Sequence, residues 1–187
     1  MGTLERIARA LRKFEPHLES GTARRAAVAL LLRERGQGLE VLVIQRAEKP
    51  GDPWSGHMAL PGGRCEPDDA SPYETSRRET LEEVGIDISW GRYLGRLSDV
   101  SPRRMPGRLT VSPVVVAIDA EPGPLQESEV EEAFWVPLEE LEDEPVEIAD
   151  FPGTWPALIY DGRYVIWGLT HRILCQLRQL AEESGED

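Results

Sequence analysis

Cysteine is scarce in this sequence. The 187 residues hold two, Cys65 and Cys175, far apart and without CxxC spacing. That excludes a disulfide framework and a zinc site built on paired thiolates, and leaves two free thiols in a reducing compartment as the plain reading. Long apolar runs are also missing. No stretch approaches the roughly 20 residues that cross a bilayer, and MGTLERIARALRKFEPHLES lacks the apolar segment and small-residue cleavage site of a secretory signal. A cytoplasmic protein without membrane contact is expected. Basic residues are outnumbered, 21 Lys and Arg against 34 Asp and Glu, for a net charge of -13. General binding to nucleic acid rests on cationic side chains meeting phosphate, so it is not expected here. A small phosphorylated substrate stays open, because a bound cation and a few local arginines can hold it.

The hydrophobic content of 40% and charged content of 29% suit a soluble globular chain. The length suits a single domain over residues 1–187. Leu4, Ile7, Ala8 and Leu11 recur at helical spacing, predicting an amphipathic helix over 3–15 that Pro16 ends. Ala26–Leu32 and Leu39–Ile44 read as strands joined by the turn at 35–38. Residues 47–71, rich in Gly, Pro and Asp, read as a long functional loop. Tyr93–Leu97 and Val111–Ile118 read as strands, with Pro113 near a strand start or an edge. Glu129–Leu141 reads as a strand running into a short helical turn, and 143–157 as a Pro-rich loop. A last strand at Tyr164–Trp167 and a helix over 169–182 follow. Helices and strands alternate without a βαβ rhythm, so the expected class is α/β, with a mixed sheet between helices.

Residues 60–86, LPGGRCEPDDASPYETSRRETLEEVGI, carry the chemistry. Ser71 is an N-cap candidate, Pro72 fits the first helical position, Glu74 completes a capping box and Gly85 suits the C-terminal stop, predicting a helix over 72–84. At 100° per residue, Tyr73, Leu81, Val84 and the stem of Arg77 form a core face. Glu79, Glu82 and Glu83 fall opposite. Like charges at i, i+4 in the C-terminal half of a helix oppose its stability. Arg78 offsets part of this through Glu82, and a divalent cation would offset more. Taken alone, a solvated acidic face accounts for these glutamates equally well. The Pro61-Gly62-Gly63 turn and the acids Glu66, Asp68 and Asp69 directly before the helix favour a cation–diphosphate site, because paired glycines admit positive φ and close backbone approach.

These residues resemble the Nudix box, Gx5Ex7REUxEExGU with U aliphatic. The run from Arg78 to Ile86 matches REUxEExGU apart from Thr80 at the first aliphatic position. The upstream half departs from the pattern. Its glutamate position falls on Ala70 and its first glycine on Arg64, and the loop from Gly63 is one residue longer. Asp69 or Glu66 is the candidate for the missing acid. The lead-in ALPGG and the Glu129–Leu141 segment are similar to those of Nudix domains, so the likeness covers about residues 24–141, with the terminal helices outside it. The stretch SGHMALPGGRCEPDDAS resembles the coenzyme A pyrophosphatase branch.

The resemblance implies a Nudix-like mixed sheet sandwiched between helices, with extra N- and C-terminal helices. It implies hydrolysis of a pyrophosphate linkage in a nucleoside diphosphate derivative, with Mg²⁺, or Mn²⁺ in its place, as cofactor. Glu79 and Glu83 are the leading ligands. Glu82 is a third ligand or the general base, with Glu129, Glu131 and Glu132 as other base candidates. Arg78 orients the glutamates, and the Gly62-Gly63 backbone shapes the site. Arg46, Arg103, Arg104 and Arg108 either contact substrate phosphates or belong to solvated loops. His57 is expected in a structural hydrogen bond. Trp54, Trp135, Trp155 and Trp167 are expected as core or partial-core residues rather than base-stacking platforms, with Trp54 the best candidate for an exception. Homodimerisation through the terminal helices is compatible with the family. Competing readings are a Nudix-fold binding module without turnover, an isoprenoid diphosphate isomerase and an acidic interaction protein. ADP-ribose, dinucleoside polyphosphates and nucleoside triphosphates are the alternative substrates.

Overall fold

The computed structural model describes residues 2–21, 24–36, 38–103 and 108–184. In chain order its elements are α1 (Thr3–Lys13), β1 (Arg25–Arg35), β2 (Gly38–Arg46), β3 (Met58–Ala59), β4 (Gly62–Arg64), α2 (Pro72–Val84), β5 (Arg92–Arg96), β6 (Thr110–Ala117), β7 (Val130–Pro137), β8 (Glu142–Ile148), β9 (Phe151–Tyr160), β10 (Tyr164–Trp167) and α3 (Gly168–Glu183). The order β3-β2-β1-β6-β5 forms a mixed sheet, in which β4 also pairs with β1 and β7 with β2. The β1–β6 pair is parallel and its neighbours are antiparallel. The expected mixed α/β sandwich is therefore what the chain adopts.

Alternation of apolar residues puts a core on each face of this sheet. Leu30, Leu32, Val41, Val43 and Val115 pack with Ile7 and Leu11 of α1 and with Ile173, Leu174 and Leu177 of α3. Ala29, Leu31, Leu42, Ile44, Val114 and Val116 face the other way, against Val84 at the end of α2 and the following Ile86 and Ile88. Each buried Leu, Ile or Val contributes about 1.5–3 kcal/mol by leaving water. Two such layers fix the register of the central strands, because a one-residue slip would turn each strand inside out.

The strands β1 and β2 form a fork. Near their turn they pair with each other, from Leu32↔Val41 to Arg35↔Gly38. Further along, β2 takes β3 as partner (Ile44↔Ala59), and β1 takes β4 (Val28↔Gly62). The segment between β3 and β4 crosses the fork, where the Pro61 carbonyl accepts from the Ala29 N–H at 2.7 Å. The expected irregular loop over 47–71 thus ends in two short strands, which seat the glycine turn in the sheet. Their brevity left no periodicity to read.

The segment 143–157 is not the expected loop. It forms most of β8 and the start of β9 in a separate sheet ordered β10-β9-β8. Most of β8 is solvent-exposed, so it has no apolar alternation, and Pro145 and Pro156 face each other across the ladder. The β10 ladder ends at Ala157, so these prolines lie where β9 has a partner on one side alone. Pro113, expected at a strand start or edge, lies inside β6. Its carbonyl accepts from the Leu97 N–H at 3.2 Å, so its hydrogen-bonding side faces β5 just past that strand's last residue. The missing N–H therefore costs no ladder bond within β5. No helix among the described residues is long and apolar enough to cross a membrane.

Candidate active site

The helix α2 begins as its sequence predicts. The Ser71 hydroxyl accepts from the Glu74 N–H at 3.3 Å, Pro72 opens the first turn, and Gly85 closes the helix at φ 69°. The expected core face holds at Val84 and, partly covered, at Tyr73, and needs correction at Leu81. The buried residues are Thr75, Ser76, Thr80, Glu83 and Val84, while Leu81 is 45% exposed. Tyr73 turns to an edge-on contact with Tyr93, and Arg77 pairs with Asp87 at 3.0 Å. Short Thr and Ser side chains let the helix lie close to the sheet, and that rotation carries one glutamate inward.

That residue is Glu83, 7% exposed, whose Oε2 accepts from the Gly62 N–H at 2.9 Å. Burial pushes its carboxyl up to about 7, against the opposing pull of the Gly62 hydrogen bond, and the nearby Glu79 charge raises it further. Burial likewise raises Glu79, against the pull of Arg78. Both glycines are needed for this approach. A side chain at Gly62, which sits at φ 154°, would meet the Val28 Cα at 2.6 Å. A Cβ at Gly63 would stand 2.5 Å from both Glu79 carboxylate oxygens. The Glu79 carboxylate thus lies directly on the backbone of β4, beside the group that Glu83 engages.

Arg78 ties this pair to the upstream loop. Its guanidinium donates to Glu79 Oε1 at 2.7 Å, to the Arg64 carbonyl at 3.0 Å and to Asp69 Oδ2 at 3.0 Å. Glu82 Oε2 lies 3.7 Å away and Glu66 Oε1 3.9 Å away. Asp69 also accepts from the Thr75 hydroxyl and the Glu66 N–H, both at 2.9 Å. Arg78 foremost holds its carboxyl down to about 2. Of the two candidates for the missing box acid, Asp69 is thus committed to Arg78, while the Glu66 side chain is 62% exposed.

The three glutamates of the helix occupy unlike environments. Glu83 is buried, Glu79 is nearly so, and the Glu82 side chain is 53% exposed. Among the described residues, no three His, Cys, Asp or Glu side chains converge closely enough to enclose a cation by themselves. The donor set still fits a hard divalent ion. Glu83 is a buried carboxylate whose hydrogen-bond partner among the described residues is the Gly62 N–H, beside a second carboxylate. Mg²⁺ takes one or two protein carboxylates and completes its shell with water and substrate oxygens.

Arg46 borders the pair. Its guanidinium bonds Asp52 at 2.8 Å and the Trp54 carbonyl at 3.2 Å, and its charge lowers the pKa of Glu83. Glu129 is also felt at Glu83 and is bound to Lys49 at 2.6 Å. Glu132 accepts from the Tyr164 hydroxyl at 2.7 Å, and Glu131 is exposed. Arg103 and Arg108 are exposed, and the Arg103 charge acts on His171 of α3. Arg104 lies outside the described residues. Sequence reasoning passed over Asp52, which anchors Arg46, and over Phe151, while Trp167 is covered as expected. The Asp-Pro turn before Trp54 is the signal that could have found the first.

A glycine turn seated in a sheet fork, with a buried Glu and its neighbour in an RExxEExG helix over it, is the core of the Nudix motif. A model of the NUDIX domain matches residues 22–154. The chain belongs to the Nudix family. It is 32% identical over 176 residues to Nudix hydrolase 15, mitochondrial, of Arabidopsis thaliana, covering 86% of this chain and 59% of the relative. It is 34% identical over 125 residues to the Nudix hydrolase NudL of Yersinia pestis, covering 66% of this chain and 60% of that one. The chain therefore spans about three fifths of the length of these curated relatives. Among solved structures, a MutT/nudix family protein from Enterococcus faecalis superposes with a TM-score of 0.56 at 22% identity, covering 97% of this chain and 70% of that one. This last likeness concerns the Nudix fold.

Proposed function

We propose that this Nudix domain hydrolyses a pyrophosphate linkage in a nucleoside diphosphate derivative, with Glu79 and Glu83 holding Mg²⁺, or Mn²⁺ in its place. The observation that carries this reading is the buried Glu83 carboxylate, fixed by the Gly62 N–H and set beside Glu79, with no cationic side chain among the described residues bonded to it. A buried carboxylate with a second, partly covered carboxylate beside it costs stability, and a divalent ion bound there would offset that cost. A bound divalent ion supplies charge neutralisation to the phosphate oxygens and acidifies water.

The chain's own residues do the rest. The Gly62 N–H aims Glu83, and Arg78 holds Glu79 over the Gly63 backbone. Glu82, on the exposed side of the same helix, serves as general base or as a ligand through water. Arg46 offers its charge to the substrate phosphates. The longer acidic loop and the SGHMALPGG lead-in resemble the coenzyme A pyrophosphatase branch, so coenzyme A is the first substrate to test.

The test incubates the protein with coenzyme A, ADP-ribose, dinucleoside polyphosphates and nucleoside triphosphates, with Mg²⁺, Mn²⁺ or EDTA, and identifies products by mass. Cleavage between two phosphates that needs the metal and falls at least a hundredfold in Glu83→Gln is the expected result, in line with the ~10²-fold or greater losses seen when charge stabilisation is removed. Cleavage that survives both EDTA and Glu83→Gln overturns the assignment.

A further inference from the structure

Five aromatic rings gather where the loop between β2 and β3 meets the second sheet. Trp54 lies 5.1 Å from Phe151 and 6.2 Å from Trp167, centroid to centroid, tilted by 36° and 32°. His57 stands 5.3 Å from Trp167 and 6.1 Å from Trp54, edge-on to both. Trp155 joins at 5.6 Å from Trp167. Trp167 is 7% exposed and His57, Phe151 and Trp155 are partly covered, while Trp54 is 40% exposed. An indole that rests on two other rings and still meets solvent is a stacking surface already held in place.

Its position is set by the candidate active site. The Arg46 guanidinium bonds the Trp54 carbonyl and the Asp52 carboxylate, and Asp52 accepts from the Trp54 N–H at 3.0 Å. Arg46 ends β2 beside β3, and its backbone N–H donates to the His57 carbonyl at 3.0 Å. His57 leads directly into β3, and from there the chain reaches Gly62 through the fork. Along this arm of the fork the groups run from Gly62, which carries the Glu83 contact, to Arg46 and the exposed indole, with Lys49 on the same loop. The order is carboxylates, cationic side chain, then exposed indole. It matches the order of a nucleotide bound to a divalent ion, which runs from cation to anionic phosphate to planar base. Burial, foremost, holds the His57 imidazole below its ordinary pKa. At neutral pH the wall therefore carries no charge of its own and suits an uncharged ring.

We propose that Trp54, backed by Phe151 and Trp167, is the platform on which the nucleobase of the substrate stacks. This rests on the reading of Glu79 and Glu83 as the phosphate end. It gives the second sheet a functional part, since β9 and β10 supply the rings behind Trp54. Stacking is tolerant of base identity because every base has a π-face, so the platform selects for the presence of a base rather than for one base.

Adenosine 5′-monophosphate tests this without turnover, because it has no anhydride to cleave. Binding of AMP and of ribose 5-phosphate is measured with Mg²⁺ present, by calorimetry and by tryptophan fluorescence. The wild-type chain is expected to bind AMP about tenfold or more tightly than ribose 5-phosphate, with quenching on AMP alone, the range that stacking on one aromatic ring supplies. Trp54→Ala is expected to erase that preference, and Trp54→Phe to retain most of it while losing the quenching. A wild-type chain that does not distinguish the two ligands overturns the proposal, and that comparison needs no variant to fold. AMP preference unchanged in Trp54→Ala overturns it too. Either failure leaves metal-dependent cleavage of the diphosphate panel standing, whereas failure of the panel with AMP stacking intact would count against the hydrolase reading alone.

Discussion

Glu83 gains the backbone N–H of Gly62 and loses its water. Burial outweighs the hydrogen bond, and the carboxyl rises from its ordinary 4.5 to about 7. Between those values the folded chain keeps a proton that the unfolded chain has released. Stability from this group is therefore greatest below pH 4.5, declines as pH rises towards 7, and stays reduced above it. The shift corresponds to about 3 kcal/mol at most. Glu83→Gln removes the buried charge and keeps an oxygen for the Gly62 N–H. In EDTA at pH 8 the variant should melt several degrees above wild type, and the gain should vanish towards pH 4.5. With Mg²⁺ the order should reverse, because only the wild type gains the stabilisation of a ligand that binds the folded state. Thermal melts across pH, with and without the ion, read both. A variant less stable than wild type in EDTA at pH 8 would show that the carboxylate is already compensated by something other than a cation.

The helix α2 shows which parts of an element a sequence discloses. Its bounds were legible because Ser71, Pro72 and Gly85 act locally, through capping bonds and a left-handed stop that need no tertiary partner. Its rotation was not legible. Angular counting put Leu81 in the core, whereas close approach to the sheet buries Thr75, Ser76 and Thr80 and exposes Leu81. Of the second sheet, β10 was legible at its bounds, whereas β8 and the start of β9 stayed hidden for a related reason, since β8 is stabilised by its ladder with β9 and shows no apolar alternation. Arg78 depends on tertiary placement in the same way, for it joins α2 to the loop at 64–69 through Asp69, the Arg64 carbonyl and Glu79. A lysine has no planar fork with which to engage these groups together. Arg78→Lys should leave melting within a few degrees of wild type while lowering kcat, and affinity for Mn²⁺, by about 10–100-fold, the range seen when a group that orients metal ligands is lost. Mn²⁺ affinity unchanged from wild type would show that Arg78 does not position Glu79.

Over the whole molecule, acid prevails by 13 charges. Local pairing relieves some of this. Arg33, largely covered, holds Glu40 and Glu121, each at 2.5 Å, and Arg96 holds the buried Asp99 at 2.9 Å. The stretch from Glu139 to Glu147 has far fewer cations near it, with Arg178 on Asp143 the ion pair seen there among the described residues. Repulsion between such exposed charges acts over the Debye length, about 30 Å at 0.01 M salt and about 8 Å at 0.15 M. Salt in that range therefore screens the long-range repulsion while leaving the short, partly buried pairs nearly intact. The melting temperature of the metal-free chain should rise as NaCl increases from about 0.01 to 0.15 M. The rise should be smaller in a variant with Glu142, Glu144 and Glu147 changed to Gln, because these exposed β8 carboxylates contribute to the repulsion without sharing in the core. A melting temperature that falls with salt would mean that the ion pairs outweigh the excess charge. The acidic surface would then be a net source of cohesion, and the electrostatic cost to folding would have to be sought at the buried Glu83.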